Sequence, residues 1–157
     1  MKIEILLENL PQLEGSEKQI AWAEDIRKEF VEQATVYYNW ILAKGEARAE
    51  KVLAKGSEIK RPRFYFADMH LENIVKTIRK NSLKVKMSDV EAIEENQKQE
   101  NSYNDTLAEC STLEEVAETA LKELQKVVSS ADMAKIWIDS RESISFFKAN
   151  SENDMNK

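Results

Sequence analysis

The sequence predicts a mainly α-helical fold of four to five helices in one compact domain, with up to three short strands at one edge. Three observations favour helices. Only three Gly and two Pro interrupt 157 residues, which leaves few of the tight turns that an all-β fold requires. Apolar residues recur at steps of three and four over long stretches. Three capping boxes mark helix starts. The length suits a single domain, expected over residues 1–150.

The first helix is predicted to begin at the capping box Ser16–Gln19. Apolar residues then follow with the spacing of one helical face, namely Ile20, Ala23, Ile26, Phe30, Ala34, Tyr37 and Ile41. The run Val36–Leu42 is apolar almost all round, which indicates deep burial or a partner. Gly45 either ends this helix or weakens it, and Gly56 is a natural stop for the helix-forming stretch that follows.

The middle of the chain is predicted to contain shorter elements. Residues 61–63, Arg-Pro-Arg, interrupt any helix, and residues 64–66 are predicted to be a short strand or an extended loop. A short amphipathic helix follows and ends near Asn81, and the alternation at 83–86 favours a second strand. A further strand is expected at 3–7, where apolar and polar residues alternate weakly.

The second half begins with another capping box, Ser88–Glu91. Few apolar residues follow it, and residues 96–106 contain almost none besides Tyr103. They are therefore predicted to form a mobile, solvated loop.

The most strongly patterned helix is predicted over residues 112–128, after a third capping box at Ser111–Glu114. Ser130 is expected to cap one last helical segment. Residues 151–157 are polar and are predicted to be a disordered tail.

Charge is unevenly distributed along the chain, whose net charge is −6. Residues 61–86 contain seven Lys or Arg and two Asp or Glu, whereas residues 87–125 contain two and eleven. The basic block is expected to attract nucleic acid or an acidic protein surface, and the acidic block to repel nucleic acid.

Several classes of chemistry are excluded by composition. His70 is the only histidine and Cys110 the only cysteine, so multi-histidine and cysteine-based metal sites cannot form. No internal disulfide is possible, which favours a reducing compartment. Carboxylate-only Mg²⁺ or Ca²⁺ sites stay open. His70 is expected to lie at the surface or at a helix boundary, because no activated nucleophile is nearby. No catalytic residue, metal or cofactor is therefore predicted.

The basic and aromatic run at residues 60–66 is one candidate binding segment. Arg61, Arg63 and Tyr65 can hold phosphates and stack on bases. The alternative is structural, with Phe64 and Phe66 directed into the core and the charges solvated.

Acidic pairs form the other candidate surface. They are Glu94 with Glu95, Glu114 with Glu115, and Glu114 with Glu118. A spacing of four places Glu114 and Glu118 on one helical face. The alternative is that these side chains are only a solvated surface.

Two tryptophans are predicted to join the ends of the chain as a structural hub. Trp22 and Trp137 are large apolar anchors. Arg27 and Arg141 follow them by five and four residues. Each arginine can stack on its tryptophan or pair with a carboxylate such as Asp139.

Both tryptophan segments resemble signatures of one family. Residues 15–27, GSEKQIAWAEDIR, resemble a GSxKQxxWAxxIR motif, and residues 134–141, AKIWIDSR, resemble an AxxWIDxR motif. In this order they are similar to small proteins of bacteriophages and mobile elements in Gram-positive and gut bacteria. The resemblance covers about 21 residues and implies no enzymatic activity. Small phage proteins often inhibit host defence, as anti-CRISPR proteins do by binding Cas nucleases.

The expected function is a non-enzymatic protein-binding module, of which a stoichiometric inhibitor of a host defence nuclease is the leading example. The expected partner is a host or phage protein such as a nuclease complex. A nucleic-acid-binding accessory protein that uses residues 60–86 is the alternative, and a carboxylate-dependent hydrolase is a third. No membrane-spanning run or signal peptide is recognisable, so the cytoplasm of the bacterial host is the expected location.

Overall fold

The computed structural model describes residues 10–66 and 69–157. In these ranges the chain forms six α-helices and one 3₁₀ helix in a single domain, and no strand. Their bounds are α1 Glu17–Ala54, the 3₁₀ helix Pro62–Phe66, α2 Met69–Lys84, α3 Asp89–Glu109, α4 Leu113–Ser130, α5 Ala134–Asp139 and α6 Arg141–Met155. The predicted mainly α-helical class is confirmed, with one or two more helices than expected.

Helix α1 begins where its capping box predicts. The Ser16 hydroxyl accepts a hydrogen bond from the Gln19 amide at 3.2 Å, and the Gln19 side chain accepts one from the Ser16 amide at 3.3 Å. The 38 residues of α1 span about 57 Å. The helix ends just before Gly56, whose φ of +79° favours glycine as a stop.

Gly45 does not end α1, although the sequence left that open. It is buried inside the helix, and a Cβ placed there would overlap the carbonyl oxygen of Tyr65. The 3₁₀ helix therefore crosses α1 at the one position without a side chain.

An aromatic cluster holds α1, α5 and α6 together. The Phe30 ring lies 5.9 Å from the ring of Trp137 and 5.7 Å from that of Phe147. The Tyr37 ring lies 5.8 Å from Phe147. Trp137 is fully buried, and its indole N–H donates to the Ala131 carbonyl at 2.9 Å. Apolar burial and a satisfied indole together fix the centre of the core.

The strand predictions at 64–66 and 83–86 are wrong, and the strand predicted at 3–7 lies outside the described residues. Residues 64–66 belong to the 3₁₀ helix, where Phe66 is buried with its ring 4.8 Å from that of Tyr38. Phe64 is 59% exposed, so only one of the two phenylalanines enters the core. Residues 83–84 continue α2, which ends in a turn.

The loop predicted at 96–106 is wrong as well, because α3 runs unbroken through it. Polar contacts anchor the middle of this helix, and apolar burial of Ala92 and Leu107 holds its two ends. Asn96 is 3% exposed; its side-chain N–H donates to the Lys76 carbonyl at 3.1 Å and its oxygen accepts from Arg79 at 3.1 Å. Lys76 also pairs with Glu100 at 2.7 Å. Apolar periodicity cannot detect such anchors.

The tail predicted at 151–157 is helical as far as Met155. Ser151 is buried and accepts a hydrogen bond from the Gln33 side chain at 2.8 Å, and Asp154 accepts one from the Tyr37 hydroxyl at 3.0 Å. These contacts with α1 hold the chain end in place.

The two later capping boxes form only in part. A hydroxyl caps each helix, but the Glu91 side chain accepts from the Ser88 hydroxyl and the Glu115 side chain from the Ser111 amide, so neither accepts from the backbone amide of the cap residue. Ser88 accepts from the Glu91 amide at 3.2 Å and begins α3. The cap of α4 is Thr112 rather than Ser111, since its hydroxyl accepts from the Glu115 amide at 3.1 Å. The prediction that Ser130 caps the last helical segment is wrong, because Ser130 is the last residue of α4 and α5 begins after Met133. That segment is two helices, α5 and α6, separated at Ser140.

In the described ranges no helix combines the length and the apolarity that crossing a bilayer demands.

Candidate protein-binding surface

The turn between α3 and α4 carries exposed carboxylates from both helices. Asp105 and Glu109 lie near the end of α3, and Glu114, Glu115 and Glu118 lie near the start of α4. Residues 99–121 contain no Lys or Arg. We call these five acidic residues the acidic corner. None of them takes part in an ion pair with another described residue.

The helix dipoles act on the two halves of the acidic corner in opposite ways. Glu114 and Glu115 lie in the first turn of α4, where the partial positive charge stabilises anions. Glu115 also accepts a hydrogen bond from the Ser111 amide at 2.9 Å. Asp105 and Glu109 lie at the carboxyl end of α3, whose partial negative charge repels them, and the last turn contains no basic residue. Their charge therefore opposes the stability of α3.

We expect the double substitution Asp105→Asn/Glu109→Gln to raise the free energy of unfolding by about 0.5 kcal/mol at low salt, because it removes this repulsion. The matched change Glu114→Gln/Glu115→Gln should lower the free energy of unfolding by a similar amount. Urea unfolding of both variants provides the measurement. Equal changes of the same sign in the free energy of unfolding of the two variants would show that the helix dipoles do not determine how these charges affect stability.

The structure separates the five glutamates that the sequence singled out. Glu114, Glu115 and Glu118 belong to the acidic corner. Glu94 lies 15 residues before Glu109, about 22 Å away along α3. Glu95 accepts a hydrogen bond from the Gln99 side chain at 3.1 Å. Glu94 and Glu95 therefore lie at the opposite end of α3 from the corner.

Sequence reasoning missed two members of the acidic corner, namely Asp105 and Glu109. The predicted loop hid Asp105, because a loop gives no fixed direction to its side chains, and Glu109 lies between that loop and the helix predicted at 112–128. The signal that points to them is the absence of Lys and Arg from residues 99–121.

The basic and aromatic run is only partly available to a ligand. Arg61 and Phe64 are exposed, with the guanidinium carbon 5.7 Å from the ring centre. Arg63 is half-buried and donates to the Asn104 side chain at 2.8 Å. Tyr65 is half-buried where its backbone packs on α1. Arg61 and Phe64 are therefore the residues of this run that a ligand can reach most easily.

The rest of the basic block does not form a continuous positive face. Lys76 is neutralised by Glu100, and Arg79 is buried with its guanidinium 2.8 Å from Glu123. Burial raises the pKa of Tyr103 beside this pair. Part of the excess positive charge of residues 61–86 is therefore paired with carboxylates of other helices and is not available to a ligand.

The two signature segments contact each other. The Glu14 carbonyl accepts from the Ala134 amide at 2.9 Å, and the Glu14 amide donates to the Asp132 carbonyl at 3.0 Å. Gly15, with a φ of +149°, turns the chain directly beside Ala134. The residues that carry the resemblance thus form one continuous structural unit.

Only one of the two tryptophans of the predicted hub is buried. Trp137 is buried, whereas Trp22 is 49% exposed, because the adjacent Ala23 occupies the buried stripe. Arg141 stacks on Trp22, not on Trp137, at 5.4 Å from the ring centre. Arg27 donates to the Pro11 carbonyl at 2.7 Å, and burial lowers its pKa. Arg141 therefore joins the two ends of the chain, whereas Arg27 fixes the segment that precedes α1.

His70 lies at the boundary between α2 and α6. Its Nε2 is 3.3 Å from Asp154, the carboxylate that also accepts from Tyr37. The Asp154 carboxylate on α6 therefore contacts both α1, through Tyr37, and α2, through His70. Within residues 10–66 and 69–157, no three His, Cys, Asp or Glu side chains are grouped so that they can hold a metal ion.

No protein-family model, curated protein or solved structure matches this chain. Function is therefore inferred from its residues and their geometry.

Proposed function

We propose that this chain is a non-enzymatic protein-binding module of a phage or mobile element that inhibits a host defence nuclease stoichiometrically, in the manner of an anti-CRISPR protein. The acidic corner docks on the positively charged channel in which the nuclease holds nucleic acid. The observation that carries the proposal is the set of five exposed carboxylates without an ion pair in the described chain. Two of them oppose the stability of their own helix.

Physical complementarity supports this partner. A nuclease channel concentrates positive potential and attracts the regularly spaced charges of a nucleic-acid backbone. A rigid corner of carboxylates offers a comparable negative surface. Leu107 and Val116 are buried on either side of the turn, so the charges are positioned before binding. Little conformational entropy is then lost when the complex forms.

The resemblance of residues 15–27 and 134–141 to phage and mobile-element proteins supports the biological setting. We expect the proposed action to take place in the cytoplasm of a bacterial host, where defence nucleases act.

The proposal is tested by capture from a host lysate that has been treated with nuclease to remove DNA and RNA. The wild-type chain should retain a nucleic-acid-cleaving enzyme, identified by mass spectrometry. The corner variant should retain at least tenfold less of it, since several complementary charges are lost together. That variant is Asp105→Asn/Glu109→Gln/Glu114→Gln/Glu118→Gln.

The control variant makes the same charge change on exposed residues outside the corner. It is Asp25→Asn/Glu32→Gln/Glu50→Gln/Glu58→Gln, and it should retain the nuclease like wild type. If no protein is retained, or if both variants lose it equally, the acidic corner is not the binding surface.

A nucleic-acid-binding accessory role is the second candidate, favoured by the exposed stack of Arg61 on Phe64. Basic and aromatic side chains of this kind bind single strands by phosphate contact and base stacking. In a mobility-shift assay at low salt, wild type should then shift single-stranded DNA, and Arg61→Ala/Phe64→Ala should not. Affinity should fall steeply with salt. The absence of any shift by wild type would remove this candidate.

A further inference from the structure

The basic residues in the carboxyl-terminal half of α1 lie on one side of the helix. They are Lys44, Arg48, Lys51 and the C-cap Lys55. At ~100° of rotation per residue, these four positions fall within a sector of about 60° around the helix axis. The acidic residues of the same half, Glu46 and Glu50, lie about 100° or more away from this sector. We call the four cations the basic flank.

The basic flank is open to solvent, and its charges are not neutralised by the fold. All four residues are exposed, and none of them forms an ion pair with another residue that the structure describes. The last core residue of α1 is Ala49, and no residue from 50 to 61 is buried. This end of α1 therefore extends beyond the core and presents four positive charges over about 17 Å.

Aromatic rings hold two cations of the basic flank in place. The Lys44 Nζ lies 4.4 Å from the centre of the Trp40 ring. The guanidinium carbon of Arg48 lies 5.6 Å from the centre of the Tyr65 ring. Cation–π attraction restricts both side chains before any ligand arrives, so less entropy is lost when they bind one.

An exposed ring next to the basic flank selects the kind of partner. Phe64 directly precedes Tyr65 in the 3₁₀ helix and is 59% exposed. Arg61 lies beside it, with the guanidinium carbon 5.7 Å from the ring centre. A row of cations beside an exposed aromatic ring suits a polymer that carries both phosphates and unpaired bases. An acidic protein surface offers only the charges, and a duplex keeps its bases stacked inside.

We propose that the basic flank, together with Arg61 and Phe64, binds single-stranded nucleic acid, with phosphates on the cations and a base stacked on Phe64. This surface goes beyond the proposed inhibition and does not rest on it. It shares Arg61 and Phe64 with the accessory role considered above, but it places most phosphate contacts on α1, outside the basic block of residues 61–86.

The test is a fluorescence anisotropy titration of the full chain with a labelled oligo-dT strand of about 12 nucleotides, at several chloride concentrations. Saturable binding is expected, and four phosphate contacts should give a slope of log affinity against log salt of about −2.8. The flank variant Lys44→Gln/Arg48→Gln/Lys51→Gln/Lys55→Gln should bind at least tenfold more weakly and lose most of this slope.

The control variant makes the same charge change on exposed lysines elsewhere and should keep most of the affinity. It is Lys18→Gln/Lys28→Gln/Lys98→Gln/Lys122→Gln. A strand of the same length without bases should bind about tenfold more weakly than oligo-dT, because it cannot stack on Phe64. The acidic-corner variant should bind oligo-dT at least as tightly as wild type does, so failure of this proposal leaves the nuclease proposal standing.

Three results would overturn the proposal. One is the absence of saturable binding by wild type at low salt. Another is an equal loss of affinity in the flank variant and the control variant. The third is full affinity in the flank variant combined with loss of binding in Arg61→Ala/Phe64→Ala, which would confine the strand to residues 61–64. Equal affinity for the strand without bases would contradict the stacking on Phe64.

Discussion

Replacing Gly45 by alanine is expected to lower the free energy of unfolding by about 2 kcal/mol, although alanine is the better helix former. At an unhindered helix position this change would raise the free energy of unfolding by about 1 kcal/mol. At Gly45 the new Cβ overlaps the Tyr65 carbonyl oxygen. That oxygen belongs to the backbone and cannot rotate away. The 3₁₀ helix must move off α1, which disturbs the packing of Phe66 on Tyr38. The overpacking costs ~3 kcal/mol, the upper end of the usual range, and the ~1 kcal/mol gained in helix propensity offsets part of it.

Chemical denaturation of Gly45→Ala measures this effect. The control is Ala43→Gly, an exposed position two residues earlier on α1, which should lose about 1 kcal/mol through helix propensity alone. If Gly45→Ala is more stable than wild type, the 3₁₀ helix does not cross α1 at this point.

The second large effect is expected from Arg79→Met, which should lower the free energy of unfolding by about 3 kcal/mol. The Arg79 and Glu123 side chains are only 6% and 14% exposed. Removal of the guanidinium leaves the carboxylate buried without its counterion and leaves Asn96 without its donor. Breaking one half of a buried pair costs ~3–5 kcal/mol. We take the low end because Glu123 retains some contact with solvent.

The double substitution Arg79→Met/Glu123→Leu should recover most of this loss, because no charge then stays buried. Lys76→Met is the control, since it breaks the half-exposed pair with Glu100 and should cost less than ~1 kcal/mol. Equal unfolding free energies for Arg79→Met and Lys76→Met would show that the buried pair between α2 and α4 contributes no more to stability than the half-exposed pair does.

Local sequence signals located the elements whose stability comes from apolar faces and caps. The Ser16 box and the stripe through Phe30 and Tyr37 predicted most of α1. The pattern around Val116 predicted α4 to within a few residues. These signals succeed because the residues that form each cap or apolar stripe are separated by only one or two helical turns along the chain.

The elements that were predicted wrongly depend on residues far apart in the chain. Helix α3 is anchored through Asn96, whose partners Lys76 and Arg79 lie on α2. The 3₁₀ helix owes its place to Gly45, about twenty residues earlier. Neither contact affects the spacing of apolar residues along the chain. The sequence therefore predicted a loop at 96–106 and a strand or extended loop at 64–66.

The sequence also predicted only part of the candidate sites. Charge counting along the sequence identified the acidic block, but the structure is what places Asp105 and Glu109 at the end of one helix and Glu114 at the start of the next. Arg79 and Ser82 are ordinary polar residues of an amphipathic helix in the sequence. Their burial on α2 is visible only in three dimensions.

The most direct test of the inhibitor proposal is a titration of the chain into a cleavage reaction of the captured nuclease. Cleavage should fall to near zero at one molar equivalent of wild type. The corner variant, with Asp105, Glu109, Glu114 and Glu118 neutralised, should still permit cleavage at that ratio. Full cleavage in the presence of a saturating excess of wild type would contradict the proposal.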